Sequence, residues 1–416
     1  MKSRLFTLAV VAALSLSSFA TSVETDCAWY LAGEVMKVHV AADNASIVYA
    51  ELCDMHGLAA GVVISLKEGE GTGTMELPSF LHSGYYVLSV YTRDNPHVSH
   101  RLVTVVNPLR KSVDDDIEWV PDDSCWAASK GTADLIDEKG LDVPETDGHI
   151  IKARVRNVDD GHALKGSQIR PSLSIVGKQI HYFEGKMVND SMAVFNTYGI
   201  HGKLPLVLSA MSSTDVSLPI EMVSPFATLL PRRLPHLVFH YQRHEVEVRS
   251  LDMQRHQMAI APAKRELQLG YLDDDTAVEG VSLDYDETLF GTKPDITYNL
   301  DEYRQFLTVR EALLEYVTTV VRKKVNGVTR LFVLREQEHN ESSLPTLVLI
   351  DGMPVSDTEQ LLNYDARRLH YINIYGGQYT FGNGIYNGII SFVTRSGRLT
   401  NYPTERNAQY LVYEFP

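Results

Sequence analysis

Residues 344–397 read LPTLVLIDGMPVSDTEQLLNYDARRLHYINIYGGQYTFGNGIYNGIISFVTRSG, a run of strand, turn and helix signals that few arrangements can satisfy together. Leu347-Val348-Leu349-Ile350 is a continuous aliphatic run, the pattern of a strand buried on both faces. Asp351-Gly352 then supplies the two positive-φ positions of a type I′ hairpin turn, and Met353-Pro354-Val355 starts the return. Ser356 and Glu359 form an S-x-x-E capping pair ahead of Leu361-Leu362, which predicts a short helix. Asp365 can cap a further turn before Leu369, Tyr371, Ile372 and Ile374 enter a strand. Gly376-Gly377, Gly382, Gly384 and Gly388 are expected to break the chain into tight turns, and 388–394 to close as a last strand. Upstream, Thr308 and Glu311 make a second capping box. It opens a helix with apolar residues at Val309, Ala312, Leu313, Tyr316, Val317 and Val320. An Asn326-Gly327 turn leads to a strand at Leu331-Phe332-Val333-Leu334.

This order resembles the plug domain of TonB-dependent outer-membrane receptors. The matching positions are Ile350-Asp351-Gly352-Met353-Pro354, then Phe381-Gly382, then the closing run from Gly388 to Gly397. The resemblance covers 295–400 and implies a docking module of the bacterial envelope. A receptor continues from its plug into a barrel of at least about eight strands of ~9–11 residues. Here 401–416 is expected to be only a tail, so a partner would have to supply any barrel. The turn residues Asp351 and Gly352 are therefore candidate interaction residues. Tyr375, Tyr379, Phe381 and Tyr386 cluster around the glycines, where they either face a partner or ligand or pack the module's own core.

Residues 1–20 have the order of an export signal. Lys2 and Arg4 precede a mostly apolar run from Leu5 to Leu16, and Ser18-Phe19-Ala20 is a small-x-small cleavage site. The run is too short to span a bilayer, and Cys27 lacks the preceding pattern of a lipoprotein signal. Export is the expectation from these residues, and a periplasmic or outer-membrane address is what the plug resemblance implies. Cys27, Cys53 and Cys125 contain no C-x-x-C, and one disulfide with one free thiol is possible in any of three pairings.

From 21 to 107 the pattern is all-β. Val35, Val38 and Val40 mark one strand, 46–52 a second, 61–66 a third and 83–91 another, with a flexible turn at 68–73. The Y-L-A-G-E opening at 30–34, V-Y-A-E-L at 48–52 and E-L-P at 76–78 followed by S-G-Y-Y-V-L at 83–88 resemble the MG2-like macroglobulin domain of exported bacterial proteins. The Cys-Gly-Glu-Gln thioester of protease-trapping macroglobulins does not occur. An acidic linker follows at 108–148, with Asp114-Asp115-Asp116 and Asp122-Asp123 as a solvated loop. A second immunoglobulin-like sandwich is expected at 149–226, with strands at 150–156, 193–195 and 204–209. A connector occupies 227–294, with exposed acidic runs at 273–275 and 284–287. The predicted fold class is thus mainly β with a C-terminal α+β part, two sandwiches followed by the plug-like domain.

His236, His240 and His244 would share a face on one continuous strand or one helix, which would suit zinc, but no H-E-x-x-H accompanies them and no metal or other cofactor is expected. The formal charge of −15 argues against a nucleic-acid surface. No G-x-S-x-G, G-x-x-x-x-G-K-S/T or strand-borne G-x-G-x-x-G occurs, so no enzyme is expected. The reading is a non-enzymatic interaction protein docking on an outer-membrane barrel or envelope assembly partner. The alternative is a glycan- or peptide-binding accessory protein of an outer-membrane importer. The chain is not expected to span a membrane itself, and its oligomeric state is open.

Overall fold

The structure is a computed structural model. It describes residues 21–110, 117–146, 148–159, 162–177, 180–214, 216–269, 292–325, 327–334, 344–381, 384–397, 399, 402–403 and 405–416. The expected export signal at 1–20, the aspartate runs at 114–116, 273–275 and 284–287, and Asn326, Gly382 and Asn383 lie outside these residues. The fold is mainly β and divides into two compact units. One comprises Met1–Pro144 with Thr228–Arg243, the other Glu145–Ala227 with His244–Pro416.

In the first unit, Ser22–Thr25, Val35–Ala41 and Glu70–Glu76 form a three-stranded sheet. It faces a five-stranded sheet ordered Trp29–Leu31, Ser99–Val106, Gly84–Tyr91, Ile47–Cys53 and Leu58–Ser65. Met36, Val38, Val48, Leu52, Leu88 and Val105 fill the core between them. The turn expected over 68–73 is only two residues long. Glu68 and Gly69 hold the positive φ values of 55° and 84°, and Glu70–Glu76 is a strand. Gly71 and Gly73 serve close packing there: a Cβ on Gly71 would lie 2.6 Å from the Ser65 carbonyl, and one on Gly73 2.7 Å from Ile64.

The stretches expected as linker and connector combine into a third sheet of this unit. His236–Tyr241 lies at its centre, antiparallel to Trp126–Lys130 and parallel to Ile117–Pro121. Phe239 wedges between Trp29 and Trp119, with centroids 5.2 and 5.5 Å away. The return segment is tied down by Glu51, fully buried on its strand. Its carboxylate accepts from the Tyr91 hydroxyl at 3.0 Å and from the amides of Thr228 and Leu229 at 3.0 and 2.5 Å. Among the described residues no disulfide joins the cysteines. Cys53 is buried and its thiol is pushed up to about 12 by burial, while the Gln242 amide donates to Cys125 Sγ at 3.3 Å.

In the second unit, one sheet of the sandwich runs Lys186–Met187, Met192–Thr197, His149–Val155, Ile220–Met222. The other runs His181–Glu184, Ile169–Ile175, Gly202–Ser212, and both Ser217–Leu218 and Gln409–Phe415 pair with the far edge of Gly202–Ser212. The expected tail is therefore a strand of this sandwich. Gly202 pairs with Phe415 and Leu208 with Gln409, and Tyr413 and Phe415 enter the core beside Phe195, Leu206 and Leu208. His149, also buried, shares a 2.6 Å hydrogen bond between its Nε2 and Tyr413 Oη.

Residues 295–399 form an α+β module with sheet order Ile296–Asn299, Leu369–Phe381, Gly384–Thr394, Leu347–Ile350, Met353–Pro354. Alternation sorts its residues. Ile350, Ile372, Ile374, Ile390 and Phe392 face the helices Val309–Glu315 and Thr358–Leu362, while Leu347, Leu349, Tyr375 and Ile389 face Ile180 and Tyr182 of the sandwich. The Thr308–Glu311 capping box is present, but the helix stops at Glu315, and Val320 opens the hairpin Val320–Val325 and Val328–Val333. The second helix is capped by Asp357, one residue after the expected Ser356, because Asp357 accepts from the amides of Glu359 and Gln360. Asp365 caps Ala366–Arg368 as predicted. Gly376-Gly377 makes no turn. It is a bulge inside Leu369–Phe381, where the register shifts between Tyr375 and Gln378 and the Tyr379 ring covers Gly377.

The helix Arg243–Leu269 starts directly after the His236–Tyr241 strand, so His236 and His240 lie on a strand and His244 on a helix. No single backbone element carries all three. Among the described residues no group of three or more His, Cys, Asp or Glu side chains could hold a metal ion, and no helix is long and apolar enough to cross a membrane.

Candidate functional site

The six residues singled out in the sequence fall into two buried networks. Asp351 and Gly352 form the first. Their φ values of 46° and 90° are those of the expected turn, and Leu349–Pro354 and Ile350–Met353 pair across it. The turn is not a surface feature, which corrects its reading as a docking loop. Asp351 is 1% exposed. Its carboxylate accepts from the Thr394 amide at 2.8 Å, the Thr394 hydroxyl at 2.6 Å and the Leu399 amide at 2.9 Å. Burial raises its carboxyl above the ordinary range, against the lowering effect of those donors. Its carbonyl accepts from Gly177, and a Cβ on Gly352 would lie 2.8 Å from Ile180 and 2.9 Å from the Ile175 carbonyl. Only glycine lets the turn approach the sandwich this closely.

Tyr375, Tyr379, Phe381 and Tyr386 come together in the second network with Ile180, Tyr182, Leu347, Leu349 and Ile389. Tyr375 and Tyr386 are buried, and Tyr379 and Phe381 are half-buried with parallel rings 6.2 Å apart. Phe381 meets Tyr182 edge-on at 5.6 Å. The hydroxyls of Tyr182 and Tyr386 are 3.0 Å apart, and Tyr386 donates to Glu184. Tyr182 and Glu184 were not singled out in the sequence. The only signal was the short H-Y-F-E strand at 181–184, and its pairing with a hairpin two hundred positions on is not written locally.

Beside this cluster lies a cavity of about 130 Å³, lined in part by Arg170, Ser172, Ser209, Tyr386 and Glu405. Ser172 and Ser209 share a 2.7 Å hydrogen bond, and Glu405 accepts from the Ser356 amide at 3.1 Å and from its hydroxyl. Burial raises the carboxyls of Glu184 and Glu405 and the phenols of Tyr182 and Tyr386. Chemically, this is a hydrogen-bonded polar seam holding acids toward their neutral forms.

A pH dependence follows. A carboxyl with a higher pKa folded than unfolded contributes stability that is complete below the unfolded value and lost as pH rises through the folded one. From about 4.3 upward, Glu184 should therefore stabilise the second unit less and less. Urea midpoints measured across this range should fall more steeply for the native protein than for Glu184→Gln, and equal slopes would remove Glu184 from the effect.

No protein-family model matches the chain. No curated protein matches it either. Among solved structures, the BSP domain of a biofilm-associated protein aligns with 53% of this chain and 29% of its own at 10% identity, with a TM-score of 0.18. The native α-2-macroglobulin of Escherichia coli aligns with 51% of this chain and 15% of its own at 11% identity, TM-score 0.19. The trypsin-activated form from Escherichia coli covers 50% and 16% at 13% identity, TM-score 0.20. The chain thus spans less than a third of the length of each. With similarity this low, the architecture stands on the strand pairing described above.

Proposed function

We propose that the chain is an exported, non-enzymatic interaction protein of the bacterial envelope whose plug-like module docks on an outer-membrane barrel or assembly partner. The observation that carries this reading is the hairpin Leu369–Phe381 and Gly384–Thr394. Its neighbours stop short: Ile296–Asn299 pairs only with 371–374, and Leu347–Ile350 only with 389–392. Residues 378–381 and 384–387 therefore extend past the sheet, paired with each other. One face carries the tyrosine cluster and the other carries Ile385, 45% exposed. A hairpin that outruns its sheet neighbours and presents an exposed isoleucine supports a docking role. The sequence of residues 1–20 supports export, and the motif order of 344–397 supports an outer-membrane address.

The test is affinity purification of the tagged protein from its native envelope in mild detergent, followed by mass spectrometry. A stoichiometric barrel or assembly component should be recovered, and Ile385→Lys, an exposed change that leaves the core intact, should reduce that recovery about tenfold or more. Recovery of the protein alone would overturn the reading.

A further inference from the structure

Trp126 is 44% exposed, yet it is held rigidly. Its indole N–H donates to Asp122 Oδ2 at 3.0 Å. One ring face lies parallel on the His240 imidazole, with centroids 3.7 Å apart and an 8° interplanar angle. The same Asp122 oxygen sits 3.1 Å from His240 Nδ1, and the other accepts from the Asp123 amide at 2.7 Å. With the N–H and one face engaged, the exposed part of the indole is its second face. An aromatic face fixed by two side chains and turned to solvent is a preorganised stacking surface.

Its surroundings select the ligand. Alternation places Ala128 and Lys130 on the face of Trp126, opposite Val238 and His236, and Lys130 pairs with Glu118 at 2.5 Å. The strip therefore runs from an indole, past half-buried Ala128 and buried Val238, to a carboxylate–ammonium pair. Its length is about 13 Å at ~3.3 Å per residue, room for several linked rings. A ligand with an apolar C–H face and a rim of hydroxyls matches both features, since hydroxyls can donate to Asp122 and Glu118 and accept from Lys130. The net charge of −15 disfavours nucleic acid as the stacking partner. A proline-rich peptide docks in a groove between aromatics, whereas here a single indole is exposed.

We propose that the face built by Trp126, His240 and Asp122 binds a neutral oligosaccharide by ring stacking. This site is independent of the hairpin docking reading, since the two involve different residues and different measurements. Whole protein is titrated with soluble cello-, xylo-, malto- and laminari-oligosaccharides, read by tryptophan fluorescence and calorimetry. At least one series should bind saturably. Trp126→Ala should weaken it about tenfold or more and Trp126→Phe less, because a smaller ring keeps part of the stack. Asp122→Asn should fall between native and Trp126→Ala. Retained near-ultraviolet dichroism from Trp29 and Trp119 verifies folding, and Trp126→Phe carries the comparison where the alanine variant does not fold. Saturation by none of the sugars, unchanged affinity in Trp126→Ala, or binding of a proline-rich peptide alone would overturn the proposal.

Discussion

Truncation before residue 409 is expected to abolish cooperative folding of the second unit. Gln409–Phe415 occupies an edge of Gly202–Ser212 along seven registered pairs, and Tyr413 and Phe415 complete the sandwich core. Its other face also works, since Tyr410 Oη donates to Met353 Sδ at 3.3 Å and accepts from the Glu405 amide at 3.1 Å. Removing the strand strips one sheet of an edge, opens the core and loosens the α+β module from below. The truncated protein should bind a hydrophobic dye at neutral pH and lose its sharp thermal transition in circular dichroism. The point version, Phe415→Ala, should cost about 3–5 kcal/mol, as for truncation of a buried phenylalanine. A transition unmoved by either change would mean that the strand is ornamental.

Asp351→Ala should cost about 3–5 kcal/mol, the second large effect. Three donors converge on this carboxylate, two of them backbone amides with no alternative partner of comparable geometry in the network. Leaving buried donors unmet costs ~1–3 kcal/mol each before relaxation. Alanine is further strained by the φ of 46°, where asparagine is tolerated. Asp351→Asn keeps an acceptor and the backbone preference, and should lose clearly less. Denaturant midpoints of the two variants separate these terms, and equal losses would refute the assignment to hydrogen bonding.

Local chemistry was legible where the signal and its effect lie close together. The Asp351-Gly352 turn, the Thr308–Glu311 box and the Asp365 cap each depend on residues within a turn of one another, and each forms. The failures have the same root. Gly376-Gly377 carries the residue type of a turn, but two long strands pairing on either side hold it as a bulge. Gly71 reads as flexible until the Ser65 carbonyl beside it shows that a side chain has no room. The stretch at 108–148 reads as acidic linker because its strands gain order only from His236–Tyr241, far along the chain. The aromatic cluster was visible as composition, but Tyr182 and Glu184, which orient it, were not. The Y-L-V-Y-E-F run at 410–415 has strong strand propensity, and its partner could not be read from any window around it.

The pairing of His149 with Tyr413 spans 264 positions, and it fixes an order of events during biosynthesis. A chain made from its N-terminus can complete the first sandwich core while later residues are still unsynthesised. The second sandwich has no such freedom, because its edge and part of its core arrive only with residue 415. Until then a row of amides and carbonyls on Gly202–Ser212 lacks its final partner strand. A chaperone that shields such edges would have its longest engagement with this segment, and the yield of folded protein should respond to its depletion more than the stability of the finished fold does.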